Sequence, residues 1–299
     1  MHLLITGASG LIGRHLVHTL RHQHQLTLIS RDPVQTRQLF QDPLLPVFTL
    51  QNLPALQNVD VVINLAGAPI ADQRWRPAYK QAICDSRWQT TQALLACCRQ
   101  SDHPPRLWLN ASAVGWYGSQ RHWVDETCIH PTSGFTHEVC ARWEQLAMEA
   151  EQWGARVCLL RLGPVLASEG GMLSKLLPLY RQGLGSRLGD GQQYLPWISL
   201  PDALAAIYFL LEHDTCQGPF NLCAPHPLRQ IDFSQQLAEH LLAAHWLQSP
   251  AWLLQLLLGE RASLLLDNLP ILPRRLQDAG FHFQHPQFTD ALQALLPDH

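Results

Sequence analysis

Lysine is nearly missing from this chain. Lys80 and Lys175 are the only two, and 21 basic against 24 acidic side chains leave a formal charge of -3 with no basic run. A protein that grips nucleic acid or an anionic membrane by charge presents a basic face. Neither partner is therefore expected. Charged residues make up only 15% while 46% are hydrophobic, which permits a sizeable core and excludes a disordered chain. No apolar run approaches the roughly eighteen residues of a membrane span. Ala251–Leu258 is apolar but short, and reads as a buried or interface helix. The opening MHLLITGASG has neither the basic segment nor the long apolar stretch of a secretory leader. Eight cysteines contain no C-x-x-C, so free thiols in a reducing cytoplasm are expected. Sixteen histidines form no H-E-x-x-H or comparable set, and no metal site is expected.

What is present is an alternation of apolar runs and helical patterns. His2–Thr6, Leu26–Ser30, Val59–Leu65, Arg106–Ser112 and Arg156–Leu162 read as strands. Leu11–Arg21, Ala78–Cys98 and Phe135–Trp153 read as the helices between them. Such alternation gives parallel βαβ units. The strands are apolar throughout, as when helices cover both sheet faces. The fold class expected is α/β: a Rossmann-like, doubly wound parallel sheet with a smaller C-terminal α+β lobe. The nucleotide-binding half spans 1–165, with contributions from about 195–225, and the substrate lobe spans 166–299. Helices are expected there at Pro201–Glu212 and Phe233–Ala244.

The sharpest motif is Thr6-Gly7-Ala8-Ser9-Gly10-Leu11-Ile12-Gly13, between the first strand and the first helix. Gly7 allows a tight turn, Gly10 lets the backbone approach a pyrophosphate, and Gly13 lets the helix pack closely on the strand. The free amides and positive end of that helix then face phosphates. An NAD site wants a carboxylate at the end of the second strand. This chain has Ser30-Arg31 there, and a guanidinium pairs with a 2′-phosphate. NADP is therefore expected ahead of NAD, which Asp32, one position on, keeps open.

The strings TGASGLIG, NLAG (Asn64–Gly67) and SAVGWYG (Ser112–Gly118) resemble the extended short-chain dehydrogenase/reductase superfamily, the NAD(P)-dependent epimerases and dehydratases. SRWQTTQALL, FTHEVCARWE, LLRLGPVL, YLPWISLPD, GPFNLCAP and LPRRLQDAGFHFQHP narrow the likeness to an atypical branch, the epimerase-family proteins. That branch carries its own small C-terminal domain, here about 248–296. The resemblance implies that Gly7, Ser9, Gly10, Leu11, Ile12 and Gly13 hold the pyrophosphate. It implies that Ser30 and Arg31 meet the adenosine phosphate, that Leu65, Ala66 and Gly67 line the adenine–ribose side, and that Arg87 points toward the cofactor. It also places Arg161, Trp197, Asp202 and Asn221 near the cleft.

The catalytic pattern is what the chain does not have. Short-chain dehydrogenases use Y-x-x-x-K, in which two residues share one helix face and the lysine tunes the phenol. No tyrosine here is followed four residues later by a lysine, and the matching positions hold Thr136 and Cys140. Threonine is too weak an acid for the phenol's role, and cysteine carries no positive charge. Ser112 stands at the family serine position. Tyr117, Cys140, Glu138 and His137 are alternative proton carriers, with Ser112 and Tyr117 taken as the catalytic pair. Trp116, Trp143 and Trp197 are possible stacking surfaces for a flat ligand, and Arg142 with Glu144 reads as a helix-surface pair. Two functions follow: an NADP-dependent oxidoreductase or sugar-nucleotide-type epimerase of a small molecule, or a non-catalytic NADP-binding regulatory protein. Substrate and oligomeric state stay open.

Overall fold

The computed structural model describes residues 1–53 and 58–297. Seven strands form the central sheet: β1 (His2–Thr6), β2 (Gln25–Ile29), β3 (Val47–Phe48), β4 (Val61–Asn64), β5 (Leu107–Ala113), β6 (Arg156–Leu162), and a last strand, Gly218–Leu222. Their spatial order runs Gly218–Leu222, β6, β5, β4, β1, β2, β3. Every neighbouring pair is parallel. The period-two alternation of a strand sends its side chains to two different cores. Leu3 and Ile5 of β1, with Val61 and Ile63 of β4, join one cluster. Leu4, Val62 and Trp108 join the other. Continuous apolar runs are needed because neither face meets water.

The helices are α1 (Leu11–Leu20), α2 (Pro33–Phe40), α3 (Pro77–Arg99) and α4 (Phe135–Met148), followed by α5 (Leu173–Arg181), α6 (Leu200–Glu212), α7 (Gln230–His240) and α8 (Ala251–Leu258). One face of the sheet is covered by α1 and α6 through Leu16, Val17, Leu20, Ala203, Ile207 and Leu210. The other is covered by α3 and α4 through Leu94, Leu95, Cys98 and Ala147. The α4 pattern passes into a 3-10 turn at Glu149–Trp153. The α7 helix starts at Gln230 and ends at His240, earlier at both ends than the expected Phe233–Ala244.

The lobe has its own core, in which Trp197, Tyr180, Phe233 and Phe288 are buried together. Late in the chain Leu276 and Phe281 return to the sheet and join the α1–α6 side, before Phe288–Leu295 packs into the lobe core. Buried carboxylates hold that return. Asp202 accepts the backbone amides of Gln284 and His285 at 2.7 and 3.0 Å. Glu126 accepts those of Asn221 and Arg275 at 2.8 and 3.2 Å. Of the two expectations for α8, buried or interface helix, the structure excludes the first: none of its eight residues is buried, and Trp252 and Leu256 are 65% and 71% exposed. It lies outside the lobe core, with half-buried leucines on one side only.

The chain leaves β1 toward β2 and β3 on one side, and returns through β4 toward β5 and β6 on the other. The carboxyl ends of β1 and β4, where Thr6 is in register with Asn64, therefore flank a crevice. In open α/β sheets this reversal point is where ligands sit.

Candidate functional site

A cleft of about 350 Å³ opens at that crevice. Its walls bring together Thr6–Gly10, Ile29–Arg31, Thr49–Gln51, Leu65–Pro69, Ser86 and Thr90. The glycine turn forms its floor. Gly7 has φ +69°, and a Cβ there would lie 2.6 Å from the Leu65 carbonyl oxygen. A Cβ on Gly13 would overlap the Gly7 carbonyl oxygen, which fixes glycine where α1 crosses the turn. Gly10 differs, since a Cβ there would meet only the Gly7 oxygen at 3.2 Å and otherwise enter open space. Gly10 is also the N-cap of α1, and no side chain caps that helix. Its positive end opens on the cleft at Gly10, and its first-turn amides have no side-chain cap among the described residues, the arrangement that binds a diphosphate. Leu11, Ile12 and Gly13 are outside the cleft wall and can contribute through backbone only. The Leu11 side chain is turned toward Gly170 and Gly171.

A buried polar network holds the opposite wall. Thr6 Oγ1 donates to Asn64 Oδ1 at 2.7 Å and accepts the Leu65 and Ala66 amides at 3.1 Å. Asn64 Nδ2 donates to Thr91 Oγ1 and Asn110 Oδ1 at 2.8 and 2.7 Å. The 65–67 loop is thus fixed by the strand ends beneath it. Against Gly67 lies Arg87, whose Nη1 donates to the Ala68 and Ile83 carbonyls at 3.1 and 3.0 Å. Burial lowers its pKa, and among the described residues no carboxylate pairs with it.

The outer end of the cleft is built at the turn from β2 into α2. Asp32 is the N-cap of α2, and its carboxylate accepts the Gln35 amide at 2.9 Å. Thr36 Oγ1 donates to Ser30 Oγ at 2.7 Å, fixing the strand-to-helix turn. Arg31, between them, is exposed and has no hydrogen bond or ion pair to any described residue. Thr49, Leu50 and Gln51 complete this end. Sequence pattern gave no sign of them, because β3 is two residues long.

Beyond β5 the groups expected to carry protons are turned inward. Ser112 is 3% exposed, and its hydroxyl donates to Glu144 Oε1 at 2.6 Å. Glu144 is itself buried and makes a two-point ion pair with Arg161, Nε to Oε1 at 2.9 Å and Nη2 to Oε2 at 2.8 Å. This corrects the surface pairing of Arg142 with Glu144: Arg142 instead donates to Gln145 Oε1 at 2.8 Å. Residues two apart on a helix point in different directions. Arg161 Nη1 donates to the Tyr117 hydroxyl at 3.0 Å, and that hydroxyl donates to Asn221 Oδ1 at 2.8 Å. Tyr117 is wholly buried, and desolvation raises its phenol well above the ordinary value. It presents no face to the cleft. Arg161 and Asn221 belong to this network, whereas Asp202 lies apart from it, buried in the first turn of α6.

Thr136 packs on Gly115. The Cys140 thiol is buried and pushed up to about 11 by desolvation. Trp143 and Trp197 are core residues: Trp143 Nε1 donates to Thr91 Oγ1 at 3.0 Å, and Trp197 packs edge-on to Phe288. Trp116 is half-buried beneath the Arg161 guanidinium, 3.6 Å from ring centre to Cζ. His137 stands apart from these inward-turned groups. Its Nδ1 lies 2.5 Å from the Trp116 carbonyl oxygen. A carbonyl only accepts, so Nδ1 carries the proton and the neutral ring has a bare Nε2. That nitrogen has no partner among the described residues and is not sealed in the interior.

The NAD dependent epimerase/dehydratase family matches residues 3–223, and a domain of unknown function (DUF1731) matches residues 249–295. The chain is 35% identical to epimerase family protein MW0731 of Staphylococcus aureus, over 99% of both chains. Among solved structures it is similar to human epimerase family protein SDR39U1 with NADPH, at TM-score 0.88 and 27% identity over 100% of both chains. It is similar also to a nucleoside-diphosphate sugar epimerase from Corynebacterium glutamicum, at TM-score 0.78 and 27% identity, covering 99% of this chain and 58% of that one. No helix among the described residues is long and apolar enough to cross a membrane.

Proposed function

Because this chain belongs to the NAD dependent epimerase/dehydratase family, we propose that it is an NADP-dependent oxidoreductase or sugar-nucleotide-type epimerase acting on a small molecule. One observation carries the cofactor choice. Asp32, the carboxylate that would hold an NAD ribose, is engaged through Oδ1 as the cap of α2, while Arg31 at the same lip is exposed and has no partner among the described residues. The human relative solved with NADPH supports the same choice. In this reading the Gly7–Gly13 turn takes the diphosphate on its amides, with Ser9 on the cleft wall. Ser30 and Arg31 take the 2′-phosphate, Leu65–Gly67 flank the adenosine, and Arg87 supplies the positive charge that Cys140 cannot. The nicotinamide, when bound, accepts or returns a hydride. Ser112 and Tyr117 are set behind the cleft, tied into the Glu144–Arg161 pair. His137 Nε2 is the group free to take a proton from a substrate hydroxyl and give it back. Eight free thiols support a reducing, cytoplasmic setting.

The test is a screen of carbonyl compounds and nucleotide sugars with NADPH, repeated with His137→Gln. Turnover lost in His137→Gln with NADPH affinity retained is the expected result. A specific observation favours a second reading, a non-catalytic NADP-binding regulatory protein: the standard phenol and ammonium are replaced by Thr136 and Cys140, and the Ser112 hydroxyl is already engaged. Tight NADPH binding without turnover across that screen establishes this second reading.

A further inference from the structure

The cleft wall at Gly67–Pro69 continues into an exposed loop, 70–76, whose two ends are held differently. Its base is tied to α3 in its own half: the Ala68 amide donates to Ser86 Oγ at 2.9 Å, and the Tyr79 hydroxyl donates to the Pro69 carbonyl at 2.5 Å. Its tip is tied across the molecule by polar contacts, while Trp75 behind it packs edge-on to Phe135 of α4 in its own half. Arg261 Nη1 donates to the Ala71 carbonyl at 3.0 Å, and Arg74 Nη2 donates to the Leu257 carbonyl at 2.7 Å. Lys175 on α5 pairs with Asp72 at 2.5 Å, and Lys80 at the start of α3 pairs with Glu260. Both lysines of the chain are spent on this seam. The opposite side of three of these contacts is α8, none of whose side chains is buried, and the turn after it, in which only Ala262 is buried. A segment with few buried apolar contacts opens locally at low cost.

We propose that α8 and the turn Gly259–Ala262 form a flap over the mouth of the cleft, latched shut by loop 70–76 and the head of α3 through three of these contacts while Lys175 of α5 holds the loop through the fourth, and that the dinucleotide enters and leaves when the latch releases. This rests on the dinucleotide reading above. The Lys175–Asp72 pair is half-exposed, at 59% and 47%, and the Glu260 side chain is 64% exposed. Pairs so placed are weak and are screened by salt. The latch therefore holds the closed form by a modest factor and yields to ionic strength. A fold held shut here by packing alone would be indifferent to salt.

The experiment compares the wild type with Lys80→Met/Lys175→Met, which keeps both apolar stems. NADPH release is followed by stopped-flow displacement at low and high salt. Hydrogen exchange of residues 70–76 and 251–262 is followed without nucleotide. The variant is expected to release NADPH about tenfold faster at low salt, given that each exposed pair biases closure by no more than about fivefold. Wild-type release is expected to rise toward the variant's rate as salt is added, and both segments exchange faster in the variant. Swapping the charges, Lys80→Glu with Glu260→Lys, is expected to restore slow release. Unchanged release and unchanged exchange in a variant with the wild-type Tm overturn the proposal. If neither protein binds NADPH, the dinucleotide reading fails, and the exchange data alone decide whether the latch exists.

Discussion

The buried pair of Glu144 and Arg161 makes the strongest quantitative prediction. Both side chains are sealed, at 8% and 4% exposure, and they meet through two hydrogen bonds. Glu144→Gln keeps the shape and removes the counter-charge, which leaves a guanidinium stranded in the interior. Breaking one partner of such a pair costs about 3–5 kcal/mol. At about 2–3 °C per kcal/mol for a chain of this length, Tm should fall by about 6–15 °C. Replacing both partners, Glu144→Gln with Arg161→Met, removes the stranded charge. The double variant should recover at least half of that loss, with a coupling energy of about 2–3 kcal/mol. Paired thermal and urea melts of the four proteins in the cycle measure it. NADPH affinity should change less than about twofold in the double variant, because neither residue lines the cleft. A loss below about 1 kcal/mol for Glu144→Gln, or a double variant no better than the sum of the singles, refutes the account of this network.

Four other outcomes follow from the same geometry. Arg31→Ala should weaken NADPH by about ten- to a hundredfold, the scale of a charge-assisted contact, and NADH by less than about threefold, measured by calorimetry. Gly13→Ala should destabilise the fold itself, because its methyl group would overlap the Gly7 carbonyl; a wild-type Tm contradicts this. Native protein at pH 7 should leave Cys140, Cys158 and Cys98 unalkylated by iodoacetamide. Burial pushes the first two to about 11 and the third to about 12, so about one part in ten thousand or less is thiolate; labelling of any of them in the folded state speaks against that burial.

Glu126 gives a pH signature. Desolvation raises its pKa above the unfolded value, so the folded state binds the proton more tightly. Its contribution is most favourable at low pH and is lost as pH rises through the folded pKa. The stability of wild type minus that of Glu126→Gln should therefore shrink with rising pH, and a difference that grows with pH contradicts the assignment.

The frame of the fold was written plainly in the chain. β1, β4, β5 and β6 are apolar runs because both faces are covered, and α1 follows a glycine turn that only one backbone geometry satisfies. Residues 33–58 carried no periodic signal of helix or strand. In α2 only Thr36 and Phe40 are buried, and β3 has two residues, so neither builds a periodic signal. The Asp32-Pro33 pair was still a legible helix start. Glu144 was misread although a cue existed, since its distance of two from Arg142 rules out a shared face. What no local pattern encodes is which distant group receives a buried polar atom. Glu144 meets Arg161 across 17 residues, and Lys175 meets Asp72 across 103. The inward turn of Ser112 and Tyr117 is a consequence of such pairings.

The central claim is that uncapped amides at the head of α1 hold a dinucleotide diphosphate. Calorimetric titration of NADPH and NADH into wild type and Gly10→Val tests it most directly. A valine at Gly10 fills the cleft while meeting little of the protein around it. The account predicts NADPH bound at least about tenfold more tightly than NADH, both lost in Gly10→Val, and a Tm for that variant near the wild type's. Heat of binding from neither nucleotide with wild type, or undiminished binding in Gly10→Val, contradicts it.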